Sequence, residues 1–329
     1  MQRWLLIGVS CVAGTLATAA TGAQQQPLRA AGTIPLPNVS GRIDHLAFDA
    51  ARQRLFVAAL GNNTLEVLDT AKAAHLRSLR GFHEPQGLAV LSGVNGVAVA
   101  NGDTGTLQLV DLDSLQTRWT VPVSGDADNV RYDAAAKLVY VAAEGGLFAF
   151  DPASGRAVRR LAIAGHPESF QLEFQGKRVF ANLPGSSQVV VGDRESTKVL
   201  ARWPTHGCGR NYPMALDERS GRVFIGCRSP ALLHELDAAN GNAVASVQAV
   251  GDTDDLFYDA ARQRLYVIGG DGFVDVVQRE GDTLRRLAQV PTRDGARTGL
   301  WVADQNRLYV AVPSRSGQPA EVRIFEAQS

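Results

Sequence analysis

The sequence predicts an all-β protein, a seven-bladed β-propeller, from a recurring unit, its strand pattern and an incomplete last repeat. A unit of about 42 residues recurs from residue 42 to the C-terminus, a spacing typical of propeller blades. Each unit contains short runs of β-forming residues separated by polar turns, as four antiparallel strands require. The final unit has room for only three strands before Ser329. We therefore expect the N-terminal region to supply the missing strand.

The first complete unit, residues 42–82, shows the strands of one blade. Runs of β-forming residues occupy 43–48, 55–59 and 64–68, and 74–79 can supply a fourth strand. The second strand of this unit recurs later in the chain at 138–141, 178–181, 222–225, 264–267 and 307–310. The repeat predicts seven blades, at 42–82, 84–125, 126–165, 166–207, 208–251, 252–295 and 296–329.

Residues 28–37 precede the first complete blade and align with the fourth strands of later units, such as 157–163. We expect this segment to pair with the three strands of residues 296–329 and to close the ring as a clasp. Such pairing leaves no large open sheet edge. Because a repeat array carries its core from one unit to the next, residues 28–329 are predicted to form a single domain.

The N-terminal segment has the features of a secretory signal peptide. A single early arginine is followed by an apolar run, and small residues up to Ala23 suit signal peptidase. We predict a signal peptide at 1–23 and a flexible leader at 24–27. The mature protein is then expected to be periplasmic or secreted, with no membrane insertion after cleavage.

The charge balance limits the class of partner. Lysine and arginine total 33, and aspartate and glutamate also total 33, so the formal net charge is zero at pH 7. A chain without a net charge is not drawn as a whole to nucleic acid or to an anionic membrane. We therefore expect no nucleic-acid partner, and instead a monomer that binds a small molecule or an envelope protein.

The repeat resembles that of the YVTN-type (YncE-like) bacterial β-propeller proteins. The shared features are Leu-Tyr-Val or Leu-Phe-Val second strands, turns rich in Gly and Asn, and third strands that end in Asp, as at Asp69 and Asp111. The similarity covers nearly all of residues 28–329. It implies the propeller scaffold and no particular activity, because that group is defined by its scaffold.

Polar residues concentrate where the first strand of each unit starts, whereas the middles of these strands are mostly apolar. In a propeller the first strand is innermost, so these starts surround one mouth of the central channel. We expect functional side chains at this mouth. The predicted ligand-binding residues are Asp44, His45, Gln86, Asp128, Asn129, Glu168, Asn211, Asp254, Asp255 and Arg297.

Five carboxylates in this set would repel one another unless protons, arginines or a cation compensate their charge. One interpretation is a solvated polar funnel in which Arg210 and Arg297 offset part of the charge. The other is a Ca²⁺ or Mg²⁺ site, because hard cations prefer oxygen ligands. Its candidate ligands, which are similar in residue type to the divalent site of the bacterial gluconolactonases and related propeller lactonases, are Glu168, Asn129, Asp128 and Asp254.

Four of the six histidines lie at or near first-strand starts. Among them, His45 and His166 are the candidate general bases, because imidazole titrates near neutral pH. No Gly-x-Ser-x-Gly elbow is present, and no His-x-His or His-Glu-x-x-His spacing indicates a zinc site.

Cys208 and Cys227 are the two cysteines of the predicted mature chain. Cys208 precedes the first strand of the fifth blade and Cys227 ends its second strand, so both lie at the same end of one blade. An oxidising, exported setting favours a disulfide between them over a metal pair or free thiols.

These observations predict an exported β-propeller scaffold that recognises a ligand or protein partner at one channel mouth and is not a catalyst. The alternative is a divalent-metal-dependent, lactonase-like hydrolase of lactone or phosphoester substrates, with the mouth carboxylates as ligands and His45 or His166 as base. A purely structural envelope-interaction module is a third reading. Bound metal would distinguish the second reading from the others.

Overall fold

The structure is a computed structural model that describes Met1 and residues 26–329. The predicted signal peptide beyond Met1, and residues 24 and 25 of the predicted leader, lie outside the described residues. The described chain forms seven antiparallel sheets of four strands each. The innermost strands of successive blades pack against one another in a complete circuit, from blade 1 through blade 7 and back to blade 1. The predicted seven-bladed all-β propeller is confirmed.

The first four blades follow one another along the chain, each with its innermost strand first. Blade 1 contains β2 (Leu46–Asp49), β3 (Arg54–Ala59), β4 (Thr64–Asp69) and β5 (Ala74–Arg80). Blade 2 contains β6 (Pro85–Leu91), β7 (Gly96–Asn101), β8 (Thr106–Asp111) and β9 (Thr117–Pro122). Blade 3 contains β10 (Val130–Asp133), β11 (Leu138–Ala143), β12 (Gly146–Phe150) and β13 (Ala157–Ala162). Blade 4 contains β14 (Phe170–Leu172), β15 (Arg178–Leu183), β16 (Gln188–Asp193) and β17 (Lys198–Pro204).

The last three blades complete the ring. Blade 5 contains β18 (Gly209–Asp217), β19 (Arg222–Ser229), β20 (Ala231–Asp237) and β21 (Ala243–Gln248). Blade 6 contains β22 (Thr253–Asp259), β23 (Arg264–Gly269), β24 (Phe273–Glu280) and β25 (Thr283–Pro291). Blade 7 contains β26 (Thr298–Val302), β27 (Arg307–Val312), β28 (Ala320–Ala327) and β1 (Leu28–Leu36). The described helices are short 3₁₀ turns at Leu60–Asn62, Ser92–Val94 and Ala303–Gln305, and no helix in the described part of the chain is long and apolar enough to cross a bilayer.

The N-terminal strand β1 closes the ring by pairing antiparallel with β28 at the outer edge of blade 7. The pairing runs from Leu28 opposite Ala327 to Leu36 opposite Ala320. Leu28, Ile34 and Leu36 are buried, so the strand is anchored by side chains as well as by its backbone. The predicted clasp is confirmed, and it pairs the edge that blade 7 would otherwise leave open.

Apolar side chains fill the interfaces between neighbouring blades. The second strands are almost entirely buried, and their aromatic residues at Phe56, Phe180, Phe224, Tyr266 and Tyr309 have no accessible surface. Burying a side chain of this size stabilises the fold by about 2–3 kcal/mol. This explains why the Leu-Phe-Val or Leu-Tyr-Val pattern recurs in the second strands of the blades.

Cys208 and Cys227 form a disulfide, with their Cα atoms 5.6 Å apart. Both are fully buried. They belong to the apolar cluster of blades 4 and 5, together with Trp203 and Met214. The predicted disulfide is confirmed, and it links the start of β18 to the second strand of the same blade.

Candidate ligand-binding site at the channel mouth

The mouth carboxylates are held at irregular starts of the first strands. Asp44, Asp128 and Glu168 each donate their backbone N–H to a carbonyl of the second strand of their own blade, at 2.7–3.0 Å. In blade 6 the pairing register shifts between Thr253 and Asp255, so that an extra residue is inserted there. Bulges of this kind re-aim side chains. They turn these carboxyl groups toward the channel instead of into the blade interfaces.

His45 spans the channel and joins three blades. Its Nδ1 lies 3.2 Å from Asp255 Oδ1 of blade 6. Its Nε2 lies 3.2 Å from the side-chain amide of Asn129 in blade 3 and 3.5 Å from Asp44 Oδ1. The second oxygen of Asp255 accepts the Gly299 N–H at 2.9 Å. We call His45, Asn129 and Asp255 the crossbar, because they cross the channel just inside the mouth.

Blade 2 leaves room for the crossbar. It has Gly87 at the position where the neighbouring blades have His45 and Asn129. A Cβ atom on Gly87 would lie 2.2 Å from the backbone oxygen of Asp128, which is far inside van der Waals contact. A side chain at this position would displace blade 3, so glycine permits the contact between His45 and Asn129.

The crossbar carries a positive charge. Burial by itself lowers the pKa of His45, but Asp255 and Asp44 together outweigh it and raise the pKa from 6.5 to about 10. His45 is therefore an imidazolium at neutral pH. In this form both ring nitrogens donate, so the Asn129 amide accepts from Nε2 through its oxygen, and His45 has no free nitrogen with which to accept a proton.

Arg42 and Arg228, which are not among the predicted site residues, neutralise the carboxylates of Asp44 and Asp254. Arg42 donates to Asp44 Oδ2 at 2.8 Å and lies 3.7 Å from Asp254 Oδ2. Arg228 donates to Asp254 Oδ1 at 2.5 Å, and its guanidinium lies 3.8 Å from the centre of the Tyr212 ring. Arg42 lies two residues before Asp44, the first polar position of blade 1. Arg228 is in a second strand, so only the register of β19 against β18 brings it to the channel.

Asp128, His166 and Glu168 form a compact cluster on the side of blades 3 and 4. His166 Nε2 lies 3.8 Å from one oxygen of each carboxyl group, and the three donor atoms lie within 4.8 Å of one another. Burial and then Asp128 raise the pKa of Glu168 well above its usual value. Burial also raises the pKa of Asp128, but the neighbouring His166 and Glu168 outweigh it and hold that pKa below its usual range. This arrangement favours one proton shared by the two carboxyl groups.

Two further predicted residues lie on the rim of the mouth. Gln86 donates to Asp126 at 2.8 Å, and Arg297 donates to Asp252 at 3.1 Å. Arg210 is exposed and lies 5.9 Å from an aromatic ring centre. The carboxylates inside the mouth are therefore compensated by His45 and by the two arginines described above, not by Arg210 or Arg297.

Asn211 has a different environment from the other predicted residues. It is fully buried, and its side-chain nitrogen donates to Asn182 Oδ1 at 2.8 Å and to the Gln188 carbonyl at 2.9 Å. Both partners belong to blade 4. The structure therefore brings Asn211 to the interface of blades 4 and 5, while most of the other predicted residues face the channel.

Two buried oxygen atoms of the mouth, Asp44 Oδ1 and Asp254 Oδ2, accept no hydrogen bond from any described residue, although His45 lies 3.5 Å from the first and Arg42 lies 3.7 Å from the second. Each of these residues is at most 9% exposed. Burial raises the pKa of Asp254 to about 6, although Arg228 opposes the rise. A buried acceptor left unpaired costs about 1–3 kcal/mol. These atoms are therefore positioned to accept hydrogen bonds from a ligand or to contact a cation.

The fold and this site define a seven-bladed β-propeller protein with an acidic channel mouth. The chain is similar to a chain of a mitotic checkpoint complex, with a TM-score of 0.78 and 12% identity, over 100% of this chain and 99% of that chain. It is also similar to hydrazine synthase of Kuenenia stuttgartiensis, with a TM-score of 0.78 and 15% identity, over 88% of this chain and 96% of that chain. At such identities the likeness shows the fold alone. No family model and no curated protein match the sequence, so the resemblance to YVTN-type propellers rests on the repeat residues.

Proposed function

We propose that the protein is an exported β-propeller scaffold of the YVTN type that binds a ligand at its acidic channel mouth and does not catalyse a reaction. The ligand is a small molecule, or a segment of an envelope protein, that presents ammonium, guanidinium or hydroxyl groups. The signal-peptide pattern and the buried disulfide support export, because disulfides persist in oxidising compartments.

Charge at the mouth is close to balanced. The carboxyl groups there belong to Asp44, Asp128, Glu168, Asp254 and Asp255. The cations in contact with them are Arg42, His45 and Arg228, with His166 beside the pair in blades 3 and 4. Because Asp128 and Glu168 share one proton, the carboxyl groups carry about four negative charges, which these cations largely offset. The mouth therefore favours donor groups through its hydrogen-bond acceptors and not through a net charge.

The single observation that carries the proposal is the pair of buried oxygens, Asp44 Oδ1 and Asp254 Oδ2, that accept no hydrogen bond from a described residue. They belong to blades 1 and 6 and lie at the same end of the channel. Because each is buried without a hydrogen-bond donor, a ligand donor that reaches it removes a cost that the free protein carries. A ligand with donors therefore gains more here than it would at a solvated carboxylate.

Calorimetric titration with putrescine and with methylguanidinium tests the proposal. We expect saturable binding that weakens at least about 10-fold in Asp254→Asn, since a charge-assisted hydrogen bond contributes about 1.5–3 kcal/mol. Binding should also weaken below pH 6, because the carboxyl group of Asp254, with a pKa of about 6, then becomes neutral. Asp304→Asn, an exposed position in the 3₁₀ turn of blade 7, is the matched control. Absence of binding, or equal binding by Asp254→Asn, would contradict the proposal.

A second candidate function, the metal-dependent hydrolase, is favoured by the cluster of Asp128, His166 and Glu168. Its imidazole and carboxylate donors suit a divalent ion such as Zn²⁺ or Mn²⁺ better than Ca²⁺. The cluster contains Asp128 and Glu168 of the ligand set that the sequence suggested, while Asn129 belongs to the crossbar and Asp254 pairs with arginine. This function lacks a general base, because His166 would be a metal ligand and His45 is protonated at neutral pH.

Metal analysis of the purified protein and thermal unfolding with Ca²⁺, Mg²⁺, Mn²⁺ and Zn²⁺ test this second function. An ion that binds only the folded protein should stabilise it by about 2.7 kcal/mol at 100 times its dissociation constant. Glu168→Gln should remove this stabilisation, and the exposed Glu195→Gln should keep it. Stabilisation by an ion together with hydrolysis of a lactone would move the hydrolase to first place, whereas an ion that does nothing would remove it.

A further inference from the structure

A cavity of about 390 Å³ lies in the channel on the far side of the crossbar from the mouth. Its lining starts at His45 and Asp255 and continues along the first strands. The small and apolar part of the wall is formed by Ala47, Phe48, Ala89, Val90, Phe257 and Leu300. We call this cavity the lower chamber. Its volume lies within the range of small-molecule binding sites.

Arg131 is the charged residue of the chamber lining outside the crossbar. Its side chain is half-buried. One guanidinium nitrogen donates to the Val130 carbonyl at 2.9 Å, and the guanidinium carbon lies 5.6 Å from the centre of the Phe170 ring. Within residues 26–329 it forms no ion pair, in contrast to the arginines of the mouth. Most of its donors therefore have no protein acceptor.

The charges around the chamber leave Arg131 under-compensated. Burial lowers the pKa of Arg131, and the more distant Asp255 and Asp128 raise it by a smaller amount. The guanidinium nevertheless stays charged. Asp255 already pairs with the imidazolium of His45. Arg131 therefore gives the chamber a net positive charge. An anion bound beside the Arg131 guanidinium offsets part of the free-energy cost of burying that guanidinium.

We propose that the lower chamber is a second binding site, which takes a small organic carboxylate with an apolar body. The carboxylate pairs with Arg131, whose planar fork suits bidentate recognition. The apolar body packs against Phe48, Phe257 and Leu300. This site is separated from the mouth by the crossbar and has an arginine where the mouth has carboxyl groups, so it does not depend on the function proposed for the mouth.

Benzoate is the probe, and benzamide is its uncharged match in shape. The mature protein is titrated with each by calorimetry, alongside Arg131→Met, which removes the charge and keeps a long apolar side chain. Arg160→Met is the control, because Arg160 also lies over a phenylalanine ring and donates to a backbone carbonyl, but on the outer strand β13. Thermal unfolding of each variant checks that it is folded.

We expect one saturable benzoate site, with a dissociation constant at least about 10-fold weaker in Arg131→Met and unchanged in Arg160→Met. Benzamide should bind wild type at least about 10-fold more weakly than benzoate, a comparison that needs no variant. The proposal is overturned if benzoate does not bind at about 10 mM, if Arg131→Met binds it equally, or if benzamide binds as tightly. Binding that is lost in Arg160→Met instead would also overturn it.

Discussion

His45→Gln removes the positive charge that holds the crossbar and should destabilise the propeller. The folded-state pKa of about 10, against 6.5 for a free imidazole, corresponds to about 5 kcal/mol at about 1.4 kcal/mol per pH unit. Asp44 can take up a proton once the imidazolium is absent, which recovers part of this free energy. The measured loss near neutral pH should therefore be about 2–3 kcal/mol.

The pH dependence distinguishes this effect from a simple packing defect. Because folding raises the pKa of His45, the stabilisation is fully present below pH 6.5 and is lost as the pH rises through about 10. Urea unfolding between about pH 6 and pH 10 should show wild type losing stability relative to His45→Gln by up to about 1.4 kcal/mol per pH unit. The exposed His83→Gln should follow wild type. Parallel curves for wild type and His45→Gln would refute the reasoning.

Three further predictions concern the scaffold. Replacing Cys208 and Cys227 by alanine should lower the free energy of unfolding by about 3 kcal/mol, because the unfolded chain regains the entropy of a short loop, and denaturant titration measures this. Gly87→Ala should cost at least about 2 kcal/mol through its clash with blade 3, whereas Gly185→Ala, with no atom within 4 Å of the added carbon, should cost less than about 1 kcal/mol. Deleting the clasp strand β1 should lower the melting temperature far more than deleting residues 24–26, and equal melting temperatures would count against the clasp.

The starts of the second and third strands of a blade can be predicted from sequence more accurately than the start of the first strand. Observed β3 and β4 begin within one residue of the predicted runs 55–59 and 64–68, because hydrophobic pattern and turn residues act locally. The first strand was expected from residue 43 but starts at Leu46. The residues before Leu46 form a bulge, in which the Asp44 N–H and the His45 carbonyl both bond to Ala58, and nothing in the local pattern signals it.

The candidate site was predictable in its location and not in its contacts. First-strand starts recur once per unit, so their common position at one mouth followed from the repeat. The repeat also predicts Asn211 at the mouth. In the structure its amide instead donates hydrogen bonds to Asn182 and Gln188, across the interface between blades 4 and 5. Arg228 is not predicted from the repeat, because it lies in a second strand and reaches Asp254 only through the pairing of β18 with β19.

The sequence by itself determined the propeller, the blade count, the clasp and the cysteine pair, since each follows from local patterns, strand counting or neighbours within one blade. Only the tertiary structure decided the crossbar, in which His45 and Asp255 meet across 210 positions of the chain. Closure of the ring determines which side chains meet across the channel, and it also determines how far these side chains are buried from water. The charge of His45 and the under-compensated charge of Arg131 both depend on carboxylates from other blades, so neither can be obtained from a single repeat.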